Sequence, residues 1–343
     1  MTAPMDLPDF DAHEGVHLFH DRSSGLSAII AIHSTTLGAA AGGTRFWHYA
    51  NNESAITDAL RLSRGMSYKN AMAGLPAGGG KAVILADSDG TKTAALLEAF
   101  ARSVDSLGGR YITAQDVGMS EADMVALSLV TKHVAGLPGQ GGDPGPSTAR
   151  GVYLGVKAAV KRALGKDSVS GVHIAIQGVG SVGGGLARRL AVDGARLTFA
   201  DVNADRAVAL AEELGAKAVA ADAILSVEAD VFSPCALGAV LTSDVIAGLK
   251  VAAVAGGANN QLPTEVQGVE LAARGILYAP DYVINAGGII NVMRTAGADG
   301  DAQVKARIDA IPARLEAIWS ESASSGDTPA KVADRMAQKL IGR

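Results

Sequence analysis

A chain of 343 residues with a net charge of −5 is long enough for about two domains, each burying its own core. Hydrophobic residues make up 48%, glycine is abundant at 42 and aromatics are few, the balance of an α/β protein with alanine-lined helices and tight strand-to-helix turns. This charge gives no reason to expect nucleic acid or an anionic membrane as partner, and no run approaches the ~20 apolar residues of a membrane span. The lone Cys235 excludes an intramolecular disulfide and a cysteine-cluster metal site. With no signal pattern in Met1-Thr2-Ala3-Pro4-Met5-Asp6, a soluble cytoplasmic protein is expected.

Along the chain, His13-Glu14-Gly15-Val16-His17 has the letters of a zinc-protease motif, which needs a helix. The continuation Val16-His17-Leu18-Phe19-His20 reads instead as an edge strand, where residues four apart lie ~13 Å from each other, and no metal is expected. Ser27 to His33 is a continuous apolar run, hence a strand covered on both faces. Ile56, Ala59, Leu60 and Ser63 set a helical stripe from Ser54 to Arg64, ending at the segment that carries Lys69. Thr93 to Leu107 reads as a helix stopped by Gly108-Gly109, and Arg110 to Thr113 as a short strand with Asp116 just beyond it.

Lys69 and Lys81 stand among Ala, Gly, Met and Leu rather than among surface charges, so their ammonium groups are expected in an enclosed site. Burial and a second cation nearby both disfavour a protonated lysine. One lysine can then hold a carboxylate while the other works as a base.

The stretch Gly136 to Pro146 is too rich in Gly and Pro for helix or strand, and marks the crossing between domains. Beyond it a helix from Ser147 to Leu164 leads into strands and helices in alternation: His173–Gln177, Val182–Asp193, Arg196–Asp201, Ala204–Leu214, Val231–Ser233 and Val251–Ala255. Gly178-Val179-Gly180-Ser181-Val182-Gly183 follows a buried strand and opens a helix, the setting of a dinucleotide turn. Gly178 serves the bend, Gly180 the approach of a pyrophosphate, and Gly183 the packing of helix on strand. Asp201, about 20 residues on, is placed to bind a ribose diol and to repel a 2′-phosphate. Since Arg206 is the nearest following arginine, nothing adjacent compensates that charge, and NAD is expected over NADP.

Lysines, aspartate and dinucleotide turn in this order resemble the Glu/Leu/Phe/Val amino-acid dehydrogenases, most closely the leucine and phenylalanine branches. Gly42-Gly43-Thr44-Arg45, Lys69-Asn70-Ala71, Gly79-Gly80-Lys81, Gly257-Ala258-Asn259-Asn260 and Asn285-Ala286-Gly287-Gly288 carry the resemblance together with Asp116. It implies an N-terminal α/β substrate-binding and oligomerisation domain (1–135), a Rossmann NAD domain (136–320) with the active-site cleft between the two, and a C-terminal helix (321–343) packing back toward the N-terminal domain. It assigns the substrate carboxylate to Lys69, water activation to Lys81 and proton relay to Asp116. Asn259 would orient the substrate, Gly42 touch it, and Thr148 lie near the nicotinamide amide. Ser181, Val182 and Asn260 would join the dinucleotide glycines.

Ala41, Ala114, Ile289 and Val292 would line an apolar side-chain pocket that excludes glutamate. Ala114 and Ile289 look like the leucine branch, whereas small Ala41 is closer to the phenylalanine branch. The implied reaction is reversible oxidative deamination of leucine, valine or isoleucine to a 2-oxo acid and ammonia, with phenylalanine as the alternative; a non-catalytic nucleotide sensor would not need both lysines and Asp116. The chain stops at Arg343, soon after the helical run Pro329 to Ile341, without the tail that supports octamers in leucine-type relatives. A homo-oligomer is expected, dimer and octamer both being open.

Overall fold

Alternation of apolar strands with small-residue helices produces two units, as described by a computed structural model over residues 3–86, 91–139, 143–236, 238–294 and 298–343. The first unit holds residues 1–142, 292–296 and 337–343; the second holds 143–291 and 297–336.

In the first unit, β1 (Gly15–Asp21), β2 (Leu26–Ser34), β3 (Ala40–Trp47), β4 (Gly78–Leu85) and β5 (Tyr111–Gln115) form one mixed sheet in the order β1-β2-β4-β3-β5. The β1–β2 and β2–β4 pairs are antiparallel, the β3–β4 and β3–β5 pairs parallel. Helix α1 (Asn52–Met72) packs Ala55, Ala59 and Leu60 on Ile29, Ala31 and Val83, while α2 (Ala94–Asp105) and α3 (Glu121–Ser128) enclose Ile30, Ile32, Ala82, Ile84 and Tyr111 on another core. This two-sided cover explains why β2 is apolar throughout. β1 is the edge strand the sequence suggests, and His13 before it turns its Nε2 to Leu60 O (3.1 Å) and Ser63 Oγ (3.0 Å). Residues 337–343 end on this unit: Gln338 Nε2 donates to Tyr68 Oη at 3.0 Å, and Arg343 donates to the carbonyls of Asp11, Ala12 and His33.

α1 does not stop at Arg64 as expected. It runs on to Met72 because Ser67, Asn70 and Ala71 continue its buried stripe, and tertiary burial outweighs the ~1 kcal/mol helix penalty of Gly65. Lys69 is therefore a helical residue.

In the second unit, α4 (Gly145–Leu164) starts inside the Gly/Pro-rich segment, with Pro146 in the first turn, where its missing N–H costs nothing. Residues 140–142 of that segment lie outside the described residues. Then follow β6 (His173–Gln177), α5 (Ser181–Val192), β7 (Arg196–Ala200), α6 (Ala204–Leu214), β8 (Lys217–Ala218), β9 (Val231–Pro234), α7 (Ser243–Gly248), β10 (Ala253–Val254), α8 (Glu265–Ala273), β11 (Leu277–Tyr278), α9 (Asp281–Ile284), α10 (Gly287–Val292), α11 (Ala298–Asp309), α12 (Ile311–Ser325) and α13 (Pro329–Leu340). The sheet order β11-β10-β9-β6-β7-β8 is parallel throughout, so the order reverses between β6 and β9. Doubly wound sheets bind ligands at such a switch point. Among the described residues no helix is long and apolar enough to cross a membrane.

Candidate active site

The glycines before Lys81 let a helix lie directly on a strand. A Cβ at Gly79 would stand 2.0 Å from the Ser67 nitrogen of α1, so only glycine fits there. Asn70, fully buried, fastens the same turn of α1 by donating from Nδ2 to Gly78 O at 2.6 Å and Ala41 O at 3.4 Å. The turn carrying half-buried Lys69 is thereby fixed against β3 and β4. Gly42 serves the sheet itself: its carbonyl accepts the Tyr111 hydroxyl at 2.7 Å, and a Cβ would meet Gly80 O at 1.8 Å. Ala41 and Ala114 are buried, and strand alternation puts Ala114 on the same side as Asp116.

Lys81 is 4% exposed, an unusual place for a lysine unless it is paired. Its Nζ donates to Asp116 Oδ2. Asp116 sits just past β5, held by the Val117 N–H on Oδ1 (2.7 Å) and by its own carbonyl accepting from Met119 N–H (3.0 Å). Gly118 completes this turn at φ +77°, where a Cβ would strike Phe46 O at 2.0 Å.

Burial pushes the Lys81 ammonium below the ordinary lysine range, against the attraction of Asp116, and the Arg45 cation adds to the push. For Asp116, burial favours the neutral acid, but the charge and hydrogen bond of Lys81, with Val117 N–H and Arg45, outweigh it and hold the carboxyl low. A buried base beside an ionised carboxylate can take a proton from water and pass it on.

The second unit gathers its residues around the turn after β6. Gly178 adopts φ +84° and lies against Ala236, which follows β9 across the switch point; a Cβ on Gly183 would meet Gly178 O at 1.9 Å. A Cβ on Gly180 would meet nothing within 4 Å, leaving room for a phosphate at the start of α5. Ser181 packs on Gly145 of α4, Val182 on Gly257, and Thr148 on Gly288, where added Cβ atoms would stand 1.9, 2.8 and 2.7 Å from these side chains. Asn285 Nδ2 donates to Asn259 Oδ1 (2.8 Å) and to Gly257 O (3.2 Å), joining the two distant Asn/Gly motifs. Asn260 takes φ +50° in the same loop. Asp201, 9% exposed at the end of β7, accepts Val179 N–H at 2.8 Å and Asn203 N–H at 2.9 Å, which fixes it beside the turn. The open face of Gly180, the tight glycines and this carboxylate fit a dinucleotide.

One expectation needs correction. Spacing along the chain sets Arg206 apart from Asp201, yet the first turn of α6 brings its Nη1 to 3.7 Å from Asp201 Oδ1, so a cation does stand beside that carboxylate. Arg45 is a cation that acts on Lys81. Of the pocket residues, Val292 belongs to the first unit with Ala41 and Ala114, and half-buried Ile289 to the second. In the sequence Arg45 and Asn70 stand out only as members of motifs, with no role assigned, and Asp58 not at all; charged or amide side chains in otherwise apolar strands and helix faces were the available signal.

Residues 13–133 match the family described as Glu/Leu/Phe/Val dehydrogenase, dimerisation domain, and residues 197–295 match Glutamate/Leucine/Phenylalanine/Valine dehydrogenase. The chain is 47% identical to a leucine dehydrogenase of Bacillus subtilis (strain 168), over 96% of this chain and 92% of that protein. It is 45% identical to a valine dehydrogenase of Streptomyces albus, over 97% and 93%. The crystal structure of L-tryptophan dehydrogenase from Nostoc punctiforme superposes with a TM-score of 0.87 at 43% identity, covering 96% of each chain. With a buried lysine paired to an aspartate and a glycine turn after β6, the chain belongs to the Glu/Leu/Phe/Val dehydrogenase family, nicotinamide-dependent oxidoreductases that act on the CH–NH2 group of amino acids.

Proposed function

We propose that the protein catalyses the reversible, NAD-dependent oxidative deamination of an apolar L-amino acid, with leucine, valine and isoleucine preferred, giving the 2-oxo acid and ammonia. The observation that carries this reading is the Lys81–Asp116 pair, a buried base on β4 and a carboxylate just past β5, the two strands that flank β3. A nicotinamide, when bound, supplies the hydride acceptor for Cα. Every proton movement then falls to side chains.

Lys69 holds the substrate carboxylate and takes no part in the chemistry, which restricts the orientation of Cα. Lys81 deprotonates the water that attacks the imine carbon, and Asp116 carries protons to and from the amino nitrogen. Gly42 and Asn259 help orient the substrate. The turn from Gly178 through Gly180, Ser181 and Val182 to Gly183 takes the pyrophosphate, with Asn260 nearby and Thr148 at the nicotinamide amide.

Asp201 favours NAD because its carboxylate can accept a ribose hydroxyl and repels a 2′-phosphate. Arg206 reduces that repulsion without removing it, since its side chain is 52% exposed and screened by solvent. We assign the substrate side chain to apolar residues, Ala41, Ala114 and Val292 of the first unit and Ile289 of the second, so a second substrate carboxylate would meet no partner. We assign residues 1–135 to substrate binding and subunit association, 136–320 to the dinucleotide and 321–343 to a C-terminal helical segment. The active form is a homo-oligomer.

Likeness to a tryptophan dehydrogenase supports a second reading, in which a larger aromatic side chain is preferred. One assay separates the two: NADH appearance with leucine, valine, isoleucine, phenylalanine, tryptophan and glutamate, repeated with NADP. The proposal expects the branched amino acids with NAD to lead and glutamate to be inactive. Faster turnover of tryptophan, or equal use of NADP, contradicts it.

A further inference from the structure

Arg45 enters the lysine–aspartate site from the neighbouring strand. It lies on β3 opposite Val83 of β4, and its guanidinium is divided between two carboxylates. Nη1 donates to Asp58 Oδ2 on α1 at 2.8 Å, an oxygen that also accepts the Tyr49 hydroxyl at 2.6 Å. Nε stands 3.7 Å from Asp116 Oδ2, the same oxygen that receives Lys81. That Nε is buried and has no hydrogen-bond partner. A buried donor left short of an acceptor calls for an explanation, and a carboxylate that changes partners during turnover supplies one. When Lys81 turns from Asp116 toward water, a movement of about 1 Å brings Arg45 Nε into hydrogen-bond range of the vacated oxygen.

We propose that Arg45 is a positioning residue for proton transfer, holding Asp116 while Lys81 works and biasing Lys81 toward its unprotonated form, with Asp58 as the opposing charge. This rests on the reading of Lys81 as the base. Among the described residues, the titratable and charged groups seen to act on the pair are Arg45 on β3, Asp58 on α1 and Tyr49, which reaches the site through Asp58, whereas Tyr111 on β5 belongs to the core on the other face of the sheet. Their signs fix the direction of each change. Arg45 disfavours the Lys81 ammonium and Asp58 favours it, so removing one or the other must move the base in opposite senses. A role confined to holding β3 against α1 would give no such opposition.

The test is the pH dependence of kcat/KM for leucine at saturating NAD in wild type, Arg45→Gln, Arg45→Lys, Asp58→Asn and Lys81→Ala. Activity rises with pH as Lys81 loses its proton. Arg45→Gln should move that limb to higher pH by about half to one unit, and Asp58→Asn should move it lower. Arg45→Lys keeps the charge and should leave the limb near the wild-type position while lowering kcat, because a single ammonium lacks the planar fork whose Nη1 and Nε face the two carboxylates. If Arg45→Gln does not fold, an unmoved limb with lowered kcat in Arg45→Lys beside a lowered limb in Asp58→Asn still decides. Limbs that coincide with wild type, or that shift the same way in the Arg45→Gln and Asp58→Asn variants, overturn the role of Arg45. An active Lys81→Ala, or a wild type without an acidic limb, overturns the base reading instead.

Discussion

The two units make sites by different means. In the second, function resides in the backbone: glycines clear space after β6, and one carboxylate, Asp201, is bonded to the turn by Val179 N–H. In the first, function resides in charged side chains brought together across the sheet, with Lys81 on β4, Arg45 on β3, Asp116 after β5 and Asp58 on α1. A backbone site is local in sequence and insensitive to pH. A partly buried charge cluster is assembled from distant segments, and desolvation makes its protonation states matter to both stability and chemistry.

This contrast can be broken most strongly in the glycine turn. Gly183→Ala puts a Cβ 1.9 Å from Gly178 O and should cost about 3 kcal/mol of stability, read as a lowered Tm. Gly180→Ala meets no protein atom and should leave Tm unchanged while weakening NADH binding about tenfold or more, measured by fluorescence titration. Equal thermal loss in both variants would show that Gly180 is a packing residue.

Acid should weaken the first unit ahead of the second. His33 is buried between Ser67 (2.7 Å from Nδ1) and Arg343 (2.8 Å from Nε2), and burial with the Arg343 charge pushes it down to about 4 from 6.5 despite Asp11. The unfolded chain therefore binds the extra proton between those values. Stability is intact above about pH 6.5 and falls as pH drops toward 4, by about 2–3 kcal/mol, with His13 lowered in the same sense. Hydrogen exchange at pH 7.5 and pH 5 should show β2 amides losing protection before those of β6. Simultaneous loss in both strands would remove this distinction.

The smallest expected effect concerns the substrate pocket. Ile289→Ala should shift kcat/KM toward phenylalanine over leucine by about 1–3 kcal/mol, the worth of one or a few methylenes in an apolar pocket. An unchanged ratio places Ile289 away from the substrate.

Legibility follows the same division. The glycine turn after β6 could be read because its requirements fall within a few consecutive residues, and β6 and α6 match their expected bounds. Lys81 and Asp116 were recognisable by type and surroundings. Arg45 was not, because its meaning depends on Asp58 and Asp116 arriving from separate elements, and the strand pairing that aligns them is set by tertiary packing. The extension of α1 past Gly65 was hidden because burial outweighed a local helix penalty. Arg206 was misjudged since distance along the chain ignores how the first turn of α6 folds over Asp201.

The central claim is that a buried lysine, polarised by its neighbours, is the base of the reaction. Turnover of Lys81→Ala with leucine and NAD, measured beside its NADH affinity, tests it most directly. The account predicts kcat reduced far more than tenfold with dinucleotide binding nearly intact. A variant that keeps more than about a tenth of wild-type kcat, a loss under ~1.4 kcal/mol, would contradict it.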